Sequence, residues 1–334
     1  MPVQVSKIGV LTSGGDSPGM NAAIRAVVRT AIHFGFEVYG IMRGYSGMME
    51  DDIVPMNSRS VANIIQRGGT ILKTARCKDF YSEEGRATAF ANLSKRGING
   101  LVVIGGDGSF TGAHKLSQEH NIACVGLPGT IDKDLYGTDF TIGFDTAVNT
   151  AVEAIDRIRD TADAHDRLFI VEVMGRHAGY IALHSGIATG AENILMPELN
   201  TSLDEMISEL QDKAKRKKLV NLVVVAEGYA PDPGRPDIKG ADEVAKYIKN
   251  KIPNMETRVT ILGHIQRGGP PSCIDRVISS RMGFHAVEAL AQGRHNVMVG
   301  ILNNAMEYTP IEIAIREKQK INEDWMRIVK ILAS

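Results

Sequence analysis

The sequence predicts an α/β fold with largely parallel sheets, and two observations carry this prediction. Short runs rich in β-branched residues alternate with longer amphipathic segments, which is typical of βαβ units. In the segment 145–162, valines and isoleucines recur at spacings of three and four residues, which predicts one long helix packed on a sheet. The predicted strands lie at residues 7–11, 37–42, 101–104, 123–127, 168–173, 193–196, 222–226 and 259–262.

The length and composition are those of a globular protein with two domains, or with one large α/β domain that carries insertions. The chain has 334 residues, of which 43% are hydrophobic and 23% charged, and this excludes disordered, collagen-like and disulfide-framework proteins. Glycine is the exception, because its 34 occurrences make up about 10% of the chain against about 7% in average proteins. Clustered glycines mark places where the backbone approaches a ligand closely.

The charge and the cysteines exclude several kinds of partner. The 38 basic and 39 acidic residues give a formal net charge of −1, so we expect no nucleic acid and no membrane as partner. The 18 aromatic residues are too few for base-stacking platforms. The three cysteines form no CxxC pair, and no signal peptide or apolar run of membrane-spanning length is present, so we predict a cytoplasmic location.

A first glycine-rich turn, residues 13–21, joins the first predicted strand to a helix pattern. Free backbone N–H groups and the positive end of a helix dipole bind phosphate at such a turn. The alternative is a tight turn whose glycines only provide positive φ. The chain contains no Gly-Lys dipeptide, so the lysine of a P-loop is absent, which argues against a P-loop NTPase.

A second glycine-rich turn, residues 105–109, follows the apolar run 101–104. Its carboxylate, Asp107, is a candidate ligand of a Mg²⁺ ion that nucleotide phosphates carry. Gly106 and Gly108 leave room for a polyphosphate, and Ser109 is predicted to cap a helix that begins near residue 110. The alternative is a simple Asp-Gly turn.

A third motif, Leu-Pro-Gly-Thr-Ile-Asp-Lys-Asp at residues 127–134, follows the strand 123–127. Open α/β sheets place their active sites at the carboxyl ends of strands, where Asp132 and Asp134 would stand. One carboxylate could accept the proton of an attacking hydroxyl while the other assists a metal, since phosphoryl transfer depends more on positioning than on a strong base. The alternative is an acidic turn.

Cationic residues follow in the second half of the chain. Several arginines that converge on one pocket would select a phosphorylated sugar, although each alone is more often a surface ion-pair partner. His177 and His184 are seven residues apart on a predicted helix, but no further ligand has zinc-site spacing with them. The basic run 213–218 is either a helix carboxyl terminus or a second anion site. The cations considered for the sugar phosphate are Arg167, Arg176, Arg258, His264 and Arg267.

Together these motifs resemble those of the bacterial ATP-dependent 6-phosphofructokinases. The resemblance covers nearly the whole chain, in the order GGDSPGMNAAIR, IGGDGS, LPGTIDKD, TIGFDTA, VEVMGRHAG, AEG and LGHIQRGG. It implies two Rossmann-like lobes, each a mostly parallel sheet flanked by helices. Residues 1–143 with about 266–310 would bind ATP, and residues 144–265 with about 311–334 would bind fructose 6-phosphate.

The resemblance also implies the activity and its residues. The enzyme would transfer the γ-phosphoryl group of Mg-ATP to the 1-hydroxyl of fructose 6-phosphate in glycolysis, with Asp132 as base. Thr130 and Arg176 would stabilise the transferred group, and Asp134 would assist. ATP would contact Gly15, Arg76, Cys77, Gly106, Asp107, Gly108 and Ser109, with Asp107 as the Mg²⁺ ligand. The sugar phosphate would contact Thr130, Ile131, Asp132, Arg167, Met174, Gly175, Arg176, Glu227, Arg258, His264, Ile265, Gln266 and Arg267.

The family's regulation and assembly are implied in the same way. Arg167 and Arg258 would reach in from a neighbouring subunit of a homotetramer. ADP or GDP would activate and phosphoenolpyruvate would inhibit at an effector site. That site would consist of Arg25, Arg29, Arg159, Gly190, Glu192, Arg216 and Lys218. Two departures from the family pattern are Ser58, where an effector-site arginine is expected, and Lys133, where asparagine is usual.

Three other functions compete with this one. A pyrophosphate-dependent phosphofructokinase typically carries Asp in place of Gly108 and Lys in place of Gly129, so the two glycines favour ATP. A catalytically silent sugar-phosphate sensor would be expected to lack Asp107 or Asp132. A dinucleotide-dependent oxidoreductase fits poorly because Thr111 stands where the GxGxxG fingerprint requires its last glycine.

Overall fold

The computed structural model describes residues 5–163, 167–198, 202–215, 222–230 and 238–332. The chain divides into two compact units: Met1–Thr146 with Arg267–Gln319, and Ala147–Gln266 with Lys320–Ser334. Both units alternate strands and helices, and this confirms the predicted α/β class. None of the helices in the described ranges is long and apolar enough to cross a membrane.

The described chain contains these strands and helices. The strands are β1 (Lys7–Thr12), β2 (Glu37–Ile41), β3 (Ile53–Met56), β4 (Gly100–Gly105), β5 (Ala123–Pro128), β6 (Leu168–Val173), β7 (Asn193–Leu195), β8 (Leu222–Ala226), β9 (Thr257–Ile261), β10 (Val297–Leu302) and β11 (Ala305–Pro310). The helices are α1 (Met20–His33), α2 (Gly44–Met49), α3 (Glu83–Lys95), α4 (Asp107–His120), α5 (Phe144–Asp163), α6 (Tyr180–Ala188), α7 (Leu203–Lys215), α8 (Gly240–Lys251), α9 (Cys273–Ala291), α10 (Ile311–Arg316) and α11 (Glu323–Leu332). Two short 3-10 helices span Asp79–Tyr81 and Gly263–Arg267.

The first unit contains a seven-stranded sheet in the order β11-β10-β5-β4-β1-β2-β3. Its five central strands are parallel, and β3 and β11 pair antiparallel at the two edges. The sequence prediction missed β3, β10 and β11. The edge strand β3 is only four residues long and contains a proline, which is unusual within a strand. In β11 only one of the six residues is buried, so the strand has no clear apolar pattern.

Helices α1 and α9 pack together in the first unit. Gly283 of α9 permits this approach, because a Cβ there would lie 2.7 Å from the Cβ of Ala26. Ile24 and Val27 of α1 are fully buried in the same core as Val10 of β1. This packing fixes α1, and with it the turn that precedes it.

The second unit contains a four-stranded sheet, entirely parallel, in the order β7-β8-β6-β9. Every residue of β8 is buried, as expected for a strand covered on both faces. The edge strand β9 begins two residues before the predicted strand at 259. Helix α5 begins at Phe144, which confirms the predicted long helix.

Candidate active site

The three predicted motifs follow adjacent parallel strands of the first unit. Strands β1 and β4 are neighbours in the sheet. From β1 the chain continues to β2 on one side of this pair, and from β4 it continues to β5 on the opposite side. In open α/β sheets, ligands bind in the crevice that this reversal opens at the carboxyl ends of the strands. The motifs after β1, β4 and β5 therefore share one crevice.

The loop after β1, which we call the glycine loop (residues 13–19), is tied to its neighbours by the backbone. The Ser13 N–H donates to the Ile104 carbonyl at 3.0 Å, and the Gly14 carbonyl accepts a hydrogen bond from the Thr74 hydroxyl. Gly14 has a φ of +89°, a conformation that favours glycine. Gly14 and Gly15 are exposed although the strand before them is buried, so the loop presents backbone to solvent.

The loop after β4 leads directly into α4. The helix begins at Asp107, with Gly106 as its N-cap, so the prediction that Ser109 caps a helix near residue 110 is wrong. Ser109 is buried within the first turn instead, whereas Asp107 is exposed. A Cβ added at Gly108 would meet no atom within 4 Å, so open space lies beside the amino end of α4.

Tyr45 supports this helix terminus, and sequence reasoning did not identify it. Its hydroxyl donates to the Ser109 carbonyl at 2.5 Å. Its ring stacks on Phe80, with ring centroids 4.0 Å apart. Burial raises the pKa of Tyr45 well above its usual value, so the hydroxyl keeps its proton and remains a donor.

The loop after β5 carries the predicted base. Asp132 and Thr130 are only 7% and 9% exposed, and the Asp132 N–H donates to the Thr130 hydroxyl at 3.1 Å. A Cβ at Gly106 would lie 3.7 Å from the Thr130 Cβ, so this loop contacts the loop after β4. Ile131 is fully buried, and Asp134 is half-buried.

Gly129 is buried and closely packed, whereas the sequence comparison led us to expect that its missing side chain leaves room for ATP. Its N–H donates to the Gly105 carbonyl at 2.9 Å. A Cβ at Gly129 would lie 3.0 Å from a methyl of Ile104 and 3.1 Å from the Met20 side chain. The position faces the core, so of the two glycines only Gly108 borders open space.

Lys133 adopts a left-handed backbone conformation, with a φ of +55°. Its ammonium lies over the Phe144 ring, 4.9 Å from the ring centroid. Burial lowers the pKa of Lys133, and the negative charge of Asp139 partly opposes this shift. A cation–π contact thus connects the loop after β5 to the first residue of α5.

The predicted ATP contacts Arg76 and Cys77 lie outside these three loops. Arg76 is exposed, and the half-buried Cys77 has its Sγ 3.4 Å from the Met49 Sδ. The segment that follows is held by Arg86, which is paired through two 2.6 Å hydrogen bonds with Glu119. The same guanidinium donates to the Phe80 and Tyr81 carbonyls, so it ties the 3-10 helix to α4.

Asp275 of α9 is a second residue that sequence reasoning missed. Its fully buried carboxylate accepts hydrogen bonds from the Gly143 N–H at 2.8 Å and from both the N–H and the hydroxyl of Thr146. Burial raises its pKa to about 6, although these hydrogen bonds oppose the shift. A Cβ at Gly143 would lie 2.5 Å from the Ser17 Cβ, so the segment that Asp275 holds packs against the glycine loop.

In the second unit, the structure brings together the predicted sugar contacts that follow β6 and β8. A carboxylate oxygen of Glu227 accepts hydrogen bonds from the Gly175 and Arg176 N–H groups, at 3.3 and 2.5 Å. Met174 is buried, whereas the Arg176 side chain is exposed. His177 lies in the turn before α6, so the prediction that it shares a helix with His184 is wrong.

Arg167 and Arg258 lie elsewhere in this unit. Both pair with the carboxylate of Glu256, and the hydrogen bond from Arg167 lowers the pKa of Glu256. They stand at the amino ends of β6 and β9, whereas Arg176 follows the carboxyl end of β6. A six-residue strand spans about 20 Å, so these two arginines and Arg176 are not brought together within one chain.

The residues of the LGHIQRGG motif have different environments. His264 and Ile265 are exposed, whereas Gln266 is fully buried and donates to the Gly263 carbonyl at 3.1 Å. Arg267, the next residue, belongs to the first unit. Its guanidinium donates to the Asp16 carbonyl at 3.0 Å, so it contacts the glycine loop.

The predicted effector residues are distributed over both units. Arg25 and Arg29 stand one turn apart on α1. Arg159 donates to the Gly190 carbonyl at 2.8 Å, and Glu192 accepts a hydrogen bond from the Leu222 N–H at 2.9 Å. Arg216 and Lys218 lie outside the described residues, and Ser58 is exposed in a turn.

Comparisons with known proteins identify relatives over almost the whole chain. The family model for phosphofructokinase matches residues 7–290. ATP-dependent 6-phosphofructokinase 1 of Thermus thermophilus is 54% identical over 98% of this chain and 100% of its own length. ATP-dependent 6-phosphofructokinase of a Thermoanaerobacter species is 52% identical over 98% of this chain and 99% of its own. The solved structure of phosphofructokinase from Saccharomyces cerevisiae is similar with a TM-score of 0.86 and 39% identity, over 93% of this chain and 45% of that chain.

Proposed function

The chain belongs to the phosphofructokinase family, and we propose that it is an ATP-dependent 6-phosphofructokinase. It would transfer the γ-phosphoryl group of ATP to the 1-hydroxyl of fructose 6-phosphate, giving fructose 1,6-bisphosphate and ADP. One observation carries the proposal in the structure. Two exposed glycine turns and a loop with a buried carboxylate contact one another at the carboxyl ends of β1, β4 and β5. Such a crevice suits a polyphosphate donor and a proton acceptor.

Glycine turns and a helix terminus would bind the donor. Gly15 and Gly106 bring the backbone close to the phosphates, and Ser109 stands in the first turn of α4. The open space beside Gly108 supports ATP rather than pyrophosphate, because an Asp side chain there would fill that space and repel an α-phosphate. Arg76 and Cys77 would add contacts to the nucleotide.

The exposed carboxylate of Asp107 suits Mg²⁺, which prefers oxygen ligands and usually keeps only one or two from the protein. The described residues contain no group of three or more His, Cys, Asp or Glu side chains that could hold a metal. Phosphate oxygens would therefore supply part of the coordination. When bound, the ion would offset negative charge on the phosphates.

The loop after β5 would carry out the proton transfer. Asp132 would accept the proton of the sugar 1-hydroxyl as its oxygen attacks phosphorus, and the bond between its N–H and Thr130 fixes the turn. Thr130 and Arg176 would stabilise charge on the transferred group, and Asp134 would assist. The hydroxyl is a weak nucleophile, so catalysis rests mainly on positioning and electrostatic stabilisation.

The acceptor would be bound by residues of the second unit and the adjoining motif. Glu227, through its bonds to the backbone at Gly175 and Arg176, holds the turn that would bind the sugar, with Met174 beside it. His264, Ile265, Gln266 and Arg267 would bind near the 6-phosphate. Arg167 and Arg258 would come from a neighbouring subunit of a homotetramer, a role supported by their position at the opposite strand ends.

Regulation is proposed at the effector residues. The contact of Arg159 with Gly190 supports a shared site for ADP or GDP and phosphoenolpyruvate, to which Arg25 and Arg29 would also contribute. A cytoplasmic location also stays a prediction.

Steady-state kinetics with each donor test the proposed function. Purified protein should form fructose 1,6-bisphosphate from fructose 6-phosphate with ATP and Mg²⁺, and pyrophosphate should not replace ATP. The same assays with GTP, and with ADP or phosphoenolpyruvate added, test nucleotide preference and regulation. Turnover with pyrophosphate and none with ATP would contradict the assignment of the donor, and turnover with neither would contradict the activity.

A further inference from the structure

Arg267 lies against the glycine loop, where the sequence resemblance assigns it to the 6-phosphate of the sugar. We propose that Arg267 is also a residue of the donor site, which positions the glycine loop and supplies positive charge to the polyphosphate of the nucleotide. This inference rests on the proposed function, because it presupposes that the glycine loop binds ATP.

The contact is close and involves the whole guanidinium. Nη1 of Arg267 donates to the Asp16 carbonyl at 3.0 Å. A Cβ added at Gly15 would lie 2.6 Å from this Nη1, 3.0 Å from Cζ and 3.3 Å from Nη2. The guanidinium therefore lies next to the backbone at Gly15, in space that any side chain at this position would occupy. A side chain at residue 15 would therefore displace the guanidinium from this position.

A phosphate that approaches Gly15 would have to pass beside this cation. Gly15 is exposed, so the loop is open to such an approach. The loop supplies no positive charge of its own, because its only charged residue is Asp16 and the P-loop lysine is absent. Arginine binds phosphate through two parallel N–H donors and stays charged at every working pH. Arg267 thus provides the charge that the loop sequence lacks.

The hydrogen bond to Asp16 also gives Arg267 a positioning role. It connects two segments 251 residues apart in sequence and uses one of the five guanidinium N–H donors. The other donors can bind phosphate oxygens. A role at the sugar phosphate alone would leave nucleotide binding in the absence of sugar unchanged, so the two roles can be separated by measurement.

The test is equilibrium binding of ATP and of adenosine to the full-length protein without sugar phosphate, by isothermal titration calorimetry. For Arg267→Gln we expect the Kd for ATP to rise about tenfold, as loss of a charge-assisted contact predicts, with the Kd for adenosine unchanged within about twofold. Arg281→Gln is the matched control, because Arg281 is a half-buried arginine of α9 that contacts Asn304 and not the glycine loop. It should bind ATP like the wild-type protein.

Arg267→Lys keeps the positive charge but loses the two parallel N–H donors of the guanidinium. This variant tests the proposed role of Arg267 in ATP binding if Arg267→Gln does not fold. We expect its Kd for ATP to rise about threefold with adenosine binding unchanged. An unchanged Kd for ATP in the folded variants would overturn the inference, and so would an equal loss of ATP and adenosine binding, which would indicate a structural role alone. Wild-type protein that binds no ATP would instead contradict the proposed function.

Discussion

Thr146 donates two hydrogen bonds to the carboxylate of Asp275, one from its backbone N–H at 2.8 Å and one from its hydroxyl at 2.5 Å. With the Gly143 N–H as third donor, the carboxylate holds the start of α5 against α9. The Ile142 N–H, in the same segment, donates to the Pro128 carbonyl at the end of β5. Asp275 therefore supports the loop after β5 indirectly, through the segment 142–146.

Asp275→Asn should lower the free energy of unfolding by about 2 to 3 kcal/mol. The amide has nearly the shape of the protonated carboxyl, but its NH₂ group cannot accept a hydrogen bond, so at least one of the donors from Gly143 and Thr146 is left without an acceptor. Urea denaturation at pH 4, where the folded protein keeps Asp275 protonated, measures the change. Ser280→Ala on the same helix is the control, because its hydroxyl bonds only to the Arg276 carbonyl one turn away, and it should cost well under about 1 kcal/mol.

The raised pKa of Asp275 also predicts how stability depends on pH. The folded-state pKa of about 6 lies above the ordinary aspartate value of 3.8, so the folded protein holds this proton more tightly than the unfolded chain. The resulting stabilisation is fully present below about pH 4 and is lost as the pH rises through about 6. The wild-type protein should therefore lose up to about 3 kcal/mol of stability relative to Asp275→Asn between about pH 4 and pH 7. Denaturation at several pH values tests this, and a parallel pH dependence of both proteins would contradict it.

Asp132→Ser should lower the turnover rate at least about a thousandfold and leave fructose 6-phosphate binding nearly intact, because the serine cannot accept the hydroxyl proton. Rapid-quench assays for turnover and equilibrium binding of the sugar phosphate measure the two effects separately. Asp156→Asn, at an exposed position of α5, is the control and should retain wild-type turnover. A loss below about tenfold for Asp132→Ser would remove Asp132 from the role of base.

Gly108→Asp tests the choice of donor. Open space around Gly108 means that the variant should fold with nearly unchanged stability. Its carboxylate would repel the nucleotide phosphates, so the KM for ATP should rise at least about tenfold, with the KM for fructose 6-phosphate little changed. Gly108→Ala, which adds one methyl group and no charge, is the control. An unchanged KM for ATP in Gly108→Asp would place the polyphosphate elsewhere.

Sequence reasoning predicted the parts of the site whose residues are adjacent in the chain. Glycines and carboxylates directly after apolar strands identified the three loops, and their positions at strand ends followed from βαβ topology. Residues that act across long sequence separations left no such signal: Tyr45 reaches Ser109 over 64 positions, and Asp275 reaches Thr146 over 129. The sequence also does not indicate what surrounds a glycine. Gly108 and Gly129 both follow strands, but a side chain at residue 108 would point into open space and one at residue 129 would meet Ile104.

Tyr45→Phe should weaken ATP binding without affecting the core. The phenyl ring can keep its stacking on Phe80, but the Ser109 carbonyl loses a buried hydrogen bond, which costs about 1 kcal/mol. Because Ser109 stands in the first turn of α4, we expect the KM for ATP to rise about threefold to fivefold, with the KM for fructose 6-phosphate unchanged. Tyr39→Phe, whose hydroxyl bonds to Glu37 at the surface, is the control and should leave both KM values unchanged. Equal KM values for ATP in Tyr45→Phe and the wild-type protein would show that the Ser109 carbonyl needs no such support.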